Sequence, residues 1–415
     1  MRIKVAKTTS GRYYLSDQDS GLVLPHIYGM NILNTWPWNN WVGPVSLPGV
    51  KPKEDAWKRY YRSRKSRVLT TSAEDLWASE HTNLLKLAGI NMIGMDVNPR
   101  LSVKAREEDI QTFLTILPRK TWRDKLKKDF SVTNGIQILR QGILDARSDY
   151  KKAGGNPDDI AVAVCDWNEP IWGMMGISFK ADEMLKVFIP LFQECAKILK
   201  QEFPNALIGS PRLAGSLRQT HASSGWIGRM DKQGREIPPS SDKSHFWKLL
   251  KALAEIEEYD IVQYNAYGKR SKHKFDLLYE TVKKPFHLSE WHYGLWSISY
   301  DIRRWFFNQF YHGGKPGYPK ADPQTLDGLI ENCHSDVLSD VNSKIILGAS
   351  FYSWAVHGSD NENDDIDKPF GYAWGPIDPT RSSKDGKTEF RDLEWLELWE
   401  QINKTAQEKH RQLIL

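Results

Sequence analysis

The sequence predicts an α/β protein built on a closed (β/α)₈ barrel, and three observations support this prediction. Eight short apolar runs alternate with longer amphipathic runs along the 415 residues, an order typical of repeated βα units. The run Ile160–Trp167 is almost continuously apolar, as expected of a strand buried on both faces. An open doubly wound sheet is the competing α/β architecture, but the first βα turn lacks the Gly-rich loop that such sheets use. We therefore favour a TIM barrel.

The predicted strands are short apolar runs bounded by turn residues or charges. In chain order they are Leu22–Ile32, Ile90–Val97, Gln111–Leu117, Ile160–Trp167, Ala206–Ser210, Asp260–Tyr267, Pro285–Glu290 and Lys344–Trp354. The predicted helices show apolar residues at helical spacing. They are Ser72–Ala88, Val132–Lys152, Ala181–Glu202, Asp242–Glu258, Phe275–Val282, Ile298–Tyr311, Thr325–Asn342 and Phe390–Lys409.

Residues 1–415 are predicted to form one catalytic domain with long βα loops. The barrel proper is expected over about residues 20–410, and an aromatic and basic insertion over about residues 34–70. Internal repeats and low-complexity segments are absent. A single large barrel fits the length as well as two or three average domains do.

Composition excludes several classes of protein. The chain has 57 basic and 52 acidic residues, a net charge of +5 that is spread along the sequence, so we expect no nucleic-acid partner. No apolar run is long enough to cross a bilayer, and the charged N-terminus does not resemble a signal peptide. The compartment stays open: secreted or periplasmic if a signal was trimmed, otherwise cytoplasmic. Three cysteines exclude a disulfide framework.

Acidic residues end two of the predicted strands. Strand four ends in Asp166-Trp167-Asn168-Glu169-Pro170, and strand seven ends in Leu288-Ser289-Glu290-Trp291. This pair of motifs resembles clan A of the retaining glycoside hydrolases, and Trp-Asn-Glu-Pro with Ser-Glu-Trp is most similar to its β-xylosidase-like members. Strand six, ending at Tyr267, also resembles that clan, although relatives often carry His where Asn265 stands. The motifs cover about three short segments of the chain.

The resemblance implies a role for each of these residues. Glu169 is expected to be the general acid/base and Glu290 the nucleophile, because retaining cleavage needs one carboxylic acid and one carboxylate. Asn168 is expected to bind the sugar 2-hydroxyl, and Tyr267 to hydrogen-bond Glu290. Each motif has a structural alternative: an Asn-Glu-Pro triplet is common by chance and often only caps a helix, and Glu290 taken alone fits an ordinary surface carboxylate.

Tryptophan is unusually frequent, with 17 residues against 16 Tyr and 15 Phe. Indole rings stack on the flat C–H faces of sugars. The resemblance places Trp354 under the sugar, and other aromatic residues near strand ends are candidates for further subsites. These are Trp36, Trp172, Trp291 and Trp374. Packing within loop cores is the alternative.

A few polar residues complete the candidate site. Asn265 lies within predicted strand six, and Arg212 and His292 follow predicted strands. Arg212 either binds a substrate carboxylate or sulfate or forms a structural salt bridge. The acidic loop 359–367 invites a calcium interpretation but lacks the EF-hand glycine. No His-Glu-x-x-His motif supports zinc.

These observations predict a retaining β-glycoside hydrolase that cleaves a neutral or anionic oligo- or polysaccharide internally, without a metal or organic cofactor. An exo-acting, β-xylosidase-like enzyme and a glycan-binding barrel without activity are the alternatives. The oligomeric state and the sugar stay open.

Overall fold

The computed structural model describes fourteen parts of the chain. They are residues 2–31, 71–94, 99–116, 131–166, 181–214, 229–230, 236–237, 245–267, 279, 282–292, 337–351, 377–382, 388–390 and 393–415. Within them, no helix is both long and apolar enough to cross a membrane. Cys165 and Cys195 are buried free thiols.

A parallel barrel sheet forms the centre of the protein, which confirms the predicted fold. Its strands are β3 (Ile27–Asn31), β4 (Met92–Gly94), β5 (Gln111–Ile116), β6 (Val162–Cys165), β7 (Leu207–Gly209), β8 (Leu213–Ala214), β11 (Val262–Tyr267), β12 (Phe286–His292) and β13 (Ile346–Phe351). They are hydrogen-bonded in the order β7-β6-β5-β4-β3-β13-β12-β11-β8. A parallel bridge between Gly209 of β7 and Ile261, directly before β11, connects β7 to the β11 side of this order. β7 and β8 together are thus the fifth strand, and the eight parallel strands close into a barrel.

The fifth strand is broken, which the sequence did not predict. Pro211 lies between β7 and β8, and proline has no N–H to donate to a strand ladder. Among the described strands, β8 pairs with β11 alone, with Leu213 opposite Tyr264. The break places Arg212 at the carboxyl end of the barrel.

Helices pack outside the sheet. They are α1 (Thr71–Leu87), α2 (Pro99–Glu107), α3 (Val132–Lys152), α4 (Ala181–Glu202), α5 (His245–Glu255) and α6 (Leu393–Ile414). Ser131 caps α3 by accepting from the backbone N of Asn134 at 3.1 Å. Residues 337–342 are also helical. The predicted helix Ile298–Tyr311, most of Phe275–Val282 and the first part of Thr325–Asn342 lie outside the described residues.

Some predicted boundaries were wrong. The last helix begins at Leu393 rather than Phe390, because Phe390 ends β15 (Thr388–Phe390), which pairs with β14 (Ile377–Ser382). β9 (Arg229–Met230) and β10 (Glu236–Ile237) form another short antiparallel pair. The helix predicted over Asp242–Glu258 is shorter at its C-terminal end, where α5 stops at Glu255.

An N-terminal hairpin closes the amino end of the barrel. β1 (Ile3–Lys7) and β2 (Tyr13–Asp17) pair antiparallel. Ile3 and Leu15 belong to the same buried cluster as Met92 and Phe113 on the barrel strands. The hairpin therefore seals one end of the barrel with apolar side chains and leaves the opposite end, where the strands finish, for chemistry.

Candidate active site

Glu290 lies at the carboxyl end of β12, the seventh barrel strand. Its side chain is buried, with only 5% of the residue exposed. In the sheet register Glu290 lies opposite Asn265 on β11, and the register shifts at that point. A carboxylate in this place needs a protein partner, because an unpaired buried charge is strongly unfavourable.

Arg212 is that partner, and it also binds a second carboxylate. Its Nη1 donates to Oε1 of Glu290 at 2.6 Å. Its Nε donates to Oδ2 of Asp166 at 2.5 Å, and its backbone N donates to Oδ1 of Asp166 at 2.8 Å. Arg212 and Asp166 are 1% and 0% exposed. We call Asp166, Arg212 and Glu290 the buried ion triad.

The triad joins three barrel strands that are distant in sequence. Asp166 directly follows β6, Arg212 lies in the break of the fifth strand, and Glu290 lies on β12. Because β11 separates β8 from β12 in the sheet, the pair of Arg212 with Glu290 spans the strand between them. One guanidinium between two carboxylates leaves the triad with one negative charge.

A neutral hydrogen-bond network lies beside Glu290. The Ser289 hydroxyl donates to Oδ1 of Asn265 at 2.8 Å, and Nδ2 of Asn31 donates to the carbonyl of Ser289 at 2.7 Å. All three residues are buried. These contacts tie β3, β11 and β12 together and support the backbone that carries Glu290.

His287, three residues before Glu290, belongs to a buried polar layer within the barrel. Its Nδ1 lies 3.0 Å from Oε1 of Gln263, and its Nε2 lies 2.9 Å from Oγ of Ser350. Its ring also packs on Phe113, with centroids 5.0 Å apart. Burial lowers the pKa of His287 to about 3, so the ring is neutral at physiological pH and adds no charge to the triad.

Several predicted site residues lie outside the described residues. These are Trp36, Asn168, Glu169, Trp172, Trp354 and Trp374. For Tyr267, Trp291 and His292 the structure describes only the strand backbone, in which Tyr267 lies opposite His292. Of the predicted site, the structure therefore places Glu290, Arg212 and Asn265 together at the carboxyl end of the barrel.

Asp166 was missed as a site residue, although it belongs to the strand-four motif. The signal that could have identified it is an acidic residue at the end of a continuously apolar strand, where burial demands a cation. Nothing in the sequence named Arg212 as that cation, because 46 residues separate the two.

The remaining charged candidates form a salt bridge or lie outside the described residues. Arg100, which follows strand two, pairs with Asp75 at 3.0 Å. Among the described residues, no group of three or more His, Cys, Asp or Glu side chains is arranged to hold a metal ion. The acidic loop 359–367 lies outside the described residues.

Comparisons with known proteins give similarity in fold. No protein-family model matches the sequence, and no curated protein matches it. Solved structures that it resembles include the agarase AgWH50C, with 13% identity and a TM-score of 0.57, covering 99% of this chain and 64% of that chain. An exo-β-agarase shows 12% identity and a TM-score of 0.58, covering 99% of this chain and 65% of that one. PfGH50B shows 12% identity and a TM-score of 0.59, covering 99% and 66%.

At this identity the likeness establishes the fold alone. The chain also spans only 64–66% of the length of these three structures.

Proposed function

We propose that this protein is a retaining β-glycoside hydrolase that acts on an oligo- or polysaccharide, with Glu290 as nucleophile and Glu169 as general acid/base. The observation that carries the proposal is a buried glutamate at the carboxyl end of the seventh barrel strand, paired with an arginine. Active sites of such barrels lie at this end. Because agarases share the fold, glycosidic bonds are the first substrates to test.

The reaction follows from two carboxyl groups. A carboxylate oxygen of Glu290 attacks the anomeric carbon while the glycosidic C–O bond breaks, and Glu169 gives its proton to the leaving oxygen. Glu169 then takes a proton from water, whose oxygen attacks the same carbon and releases Glu290. The product keeps the β configuration because the carbon is inverted twice.

The ion pairs favour a neutral sugar next to Glu290. Among the described residues, Arg212 and Arg100 follow strands at this end, and each is paired with a carboxylate. The triad keeps a negative charge, which repels a sugar carboxylate or sulfate. We propose cleavage within a neutral polysaccharide, such as the galactan agarose, because the aromatic residues of the long loops suit several subsites.

Azide rescue tests the two catalytic roles separately. Product chromatography on agarose, β-mannan, xylan, κ-carrageenan and polygalacturonate first identifies the sugar, and its 2,4-dinitrophenyl β-glycoside then serves as probe. Glu290→Ala is expected to lose about 10⁴–10⁶-fold in turnover, and azide should restore cleavage as the α-glycosyl azide. Glu169→Ala with azide should give the β-glycosyl azide, because the first displacement still uses Glu290.

Glu257→Ala is the matched control, since Glu257 is an exposed glutamate in the turn before the amino end of β11, away from the carboxyl ends of the strands, and it should keep full activity. Near-native activity of Glu290→Ala would overturn the nucleophile assignment. Binding of a glycan without any cleavage by the wild type would favour the non-catalytic barrel, whereas release of one terminal sugar at a time would indicate an exo-acting enzyme.

A further inference from the structure

The buried ion triad contains one more group than nucleophilic catalysis by Glu290 requires, namely Asp166. We propose that Arg212, oriented by Asp166, is a positioning residue that keeps the carboxylate of Glu290 ionised and fixed, and that Asp166 balances Arg212 once Glu290 becomes an ester. This inference rests on the proposed function and deepens it.

The orientation of Arg212 is set from the Asp166 side. Asp166 accepts from both the backbone N and Nε of Arg212, at 2.8 and 2.5 Å. The first contact holds the backbone of Arg212 and the second holds Nε of its guanidinium, whose donors form a rigid, planar fork. Nη1 is thereby aimed at Oε1 of Glu290, at 2.6 Å. A lysine has no second donor that matches this geometry.

Charge explains why two acids share one base. Before attack the triad carries one net negative charge, which favours the positive charge that develops at the anomeric carbon. In the covalent intermediate Glu290 is an ester without charge, so the Asp166–Arg212 pair that remains is neutral. Without Asp166, the buried guanidinium of the intermediate would lose the ion pair that Asp166 provides, and a buried charge that loses a partner is costly.

The described surroundings add no other ion to this balance. On β12 itself His287 is neutral, and on β11 the residue opposite Glu290 is the amide Asn265. The adjoining hydroxyl of Ser289 is also uncharged at working pH. Arg212 from the fifth strand and Asp166 from the fourth are the ions that the structure describes on the remaining side.

The proposal predicts opposite effects on Glu290 from its two partners. Removing the guanidinium in Arg212→Gln or Arg212→Met should raise the titration midpoint of Glu290 by about one to three pH units. Removing the distant negative charge in Asp166→Asn should lower it. Arg212→Lys should leave the midpoint near the wild-type value but reduce kcat more than it changes KM, because the charge stays and the fork is lost.

The measurement is a ¹³C NMR titration of protein labelled at the glutamate carboxyl carbon, with the Glu290 resonance assigned by its absence in Glu290→Gln. Lys86→Met is the control, because Lys86 is an exposed residue paired with Glu108, and it should not move the resonance. The acid limb of the kcat/KM profile on the aryl glycoside should move in the same direction as the titration.

The outcomes separate this proposal from the proposed function, since the titration needs no turnover. Opposite shifts with no glycan cleaved would support the triad and contradict the hydrolase. Azide rescue at Glu290 with a titration that Asp166→Asn leaves unchanged, or raises, would overturn the role of Asp166. Should both charge-removing variants of Arg212 fail to fold, Asp166→Asn and Arg212→Lys still decide the outcome.

Discussion

Glu290 carries the surplus charge of the buried ion triad. Asp166 and Arg212 alone form a neutral pair with two hydrogen bonds. Adding Glu290 brings a second carboxylate out of water, and it shares the same guanidinium with Asp166. Burial of a charge is unfavourable unless it is well compensated, so this residue should cost stability that its chemistry requires.

Two substitutions in the triad should therefore affect folding very differently. Glu290→Gln leaves the neutral pair intact, and the free energy of unfolding should stay constant or rise by up to about 1 kcal/mol. Arg212→Met removes the guanidinium that two buried carboxylates share and should lower the free energy of unfolding by about 3–5 kcal/mol. Urea unfolding at pH 7, followed by tryptophan fluorescence, measures both. A loss in Glu290→Gln as large as that in Arg212→Met would contradict this assignment of the surplus charge.

At the scale of elements, Arg12 joins the N-terminal hairpin to the barrel. Its Nη1 donates to the carbonyls of Val341 and Ser343 at 2.8 and 2.7 Å, and its Nη2 donates to that of Asn342 at 3.0 Å. These carbonyls end the helical segment 337–342, where a cation is favourable. Burial lowers the pKa of Arg12, but the guanidinium stays charged at any physiological pH.

Arg12→Met should lower the free energy of unfolding by about 2–3 kcal/mol, because three carbonyls lose a charged donor in a buried place. Arg2→Met is the matched control. Arg2 belongs to the same hairpin region but pairs with Asp19 in an exposed position, so its loss should change stability by less than about 0.5 kcal/mol. Both values come from urea unfolding. Equal effects of the two substitutions would show that Arg12 does not anchor the hairpin.

The elements were predictable to different degrees. Each barrel strand is an apolar run of its own, so its position follows from local composition. The hairpin was missed because β1 and β2 are short and half polar. They are held in place by apolar contacts with barrel strands that are distant in sequence. Pro211 is visible in the sequence as a residue that interrupts a strand. The sequence does not show, however, that the two halves of the strand pair with different neighbours, β7 with β6 and β8 with β11.

At the scale of the whole molecule, buried neutral histidines should make the fold sensitive to acid. Burial lowers the pKa of His81 and His287 to about 3 and that of His410 to about 4. They lie on α1, β12 and α6. If these elements unfold together, protonation of any one of the three histidines lowers the free energy of unfolding of the same cooperative unit.

The sign follows from linkage. As pH falls below the usual histidine value of 6.5, the unfolded chain takes up protons that the folded chain excludes, so stability is full above that pH and falls below it. Between pH 6 and 4 the three residues should cost about 4 kcal/mol per pH unit. His287→Asn should remove about one third of this slope. Urea unfolding across pH 4–7.5 measures it, and an unchanged slope would contradict a neutral His287.

The sequence by itself determined the barrel and the place of Glu290 at a strand end. Both depend on local patterns, because alternating apolar and amphipathic runs specify βα units and parallel strands finish at one end. Only the tertiary structure decided that Arg212 lies between Asp166 and Glu290, 46 and 78 residues away. Closure of the barrel brings these strand ends together, and no local pattern records which strand ends meet.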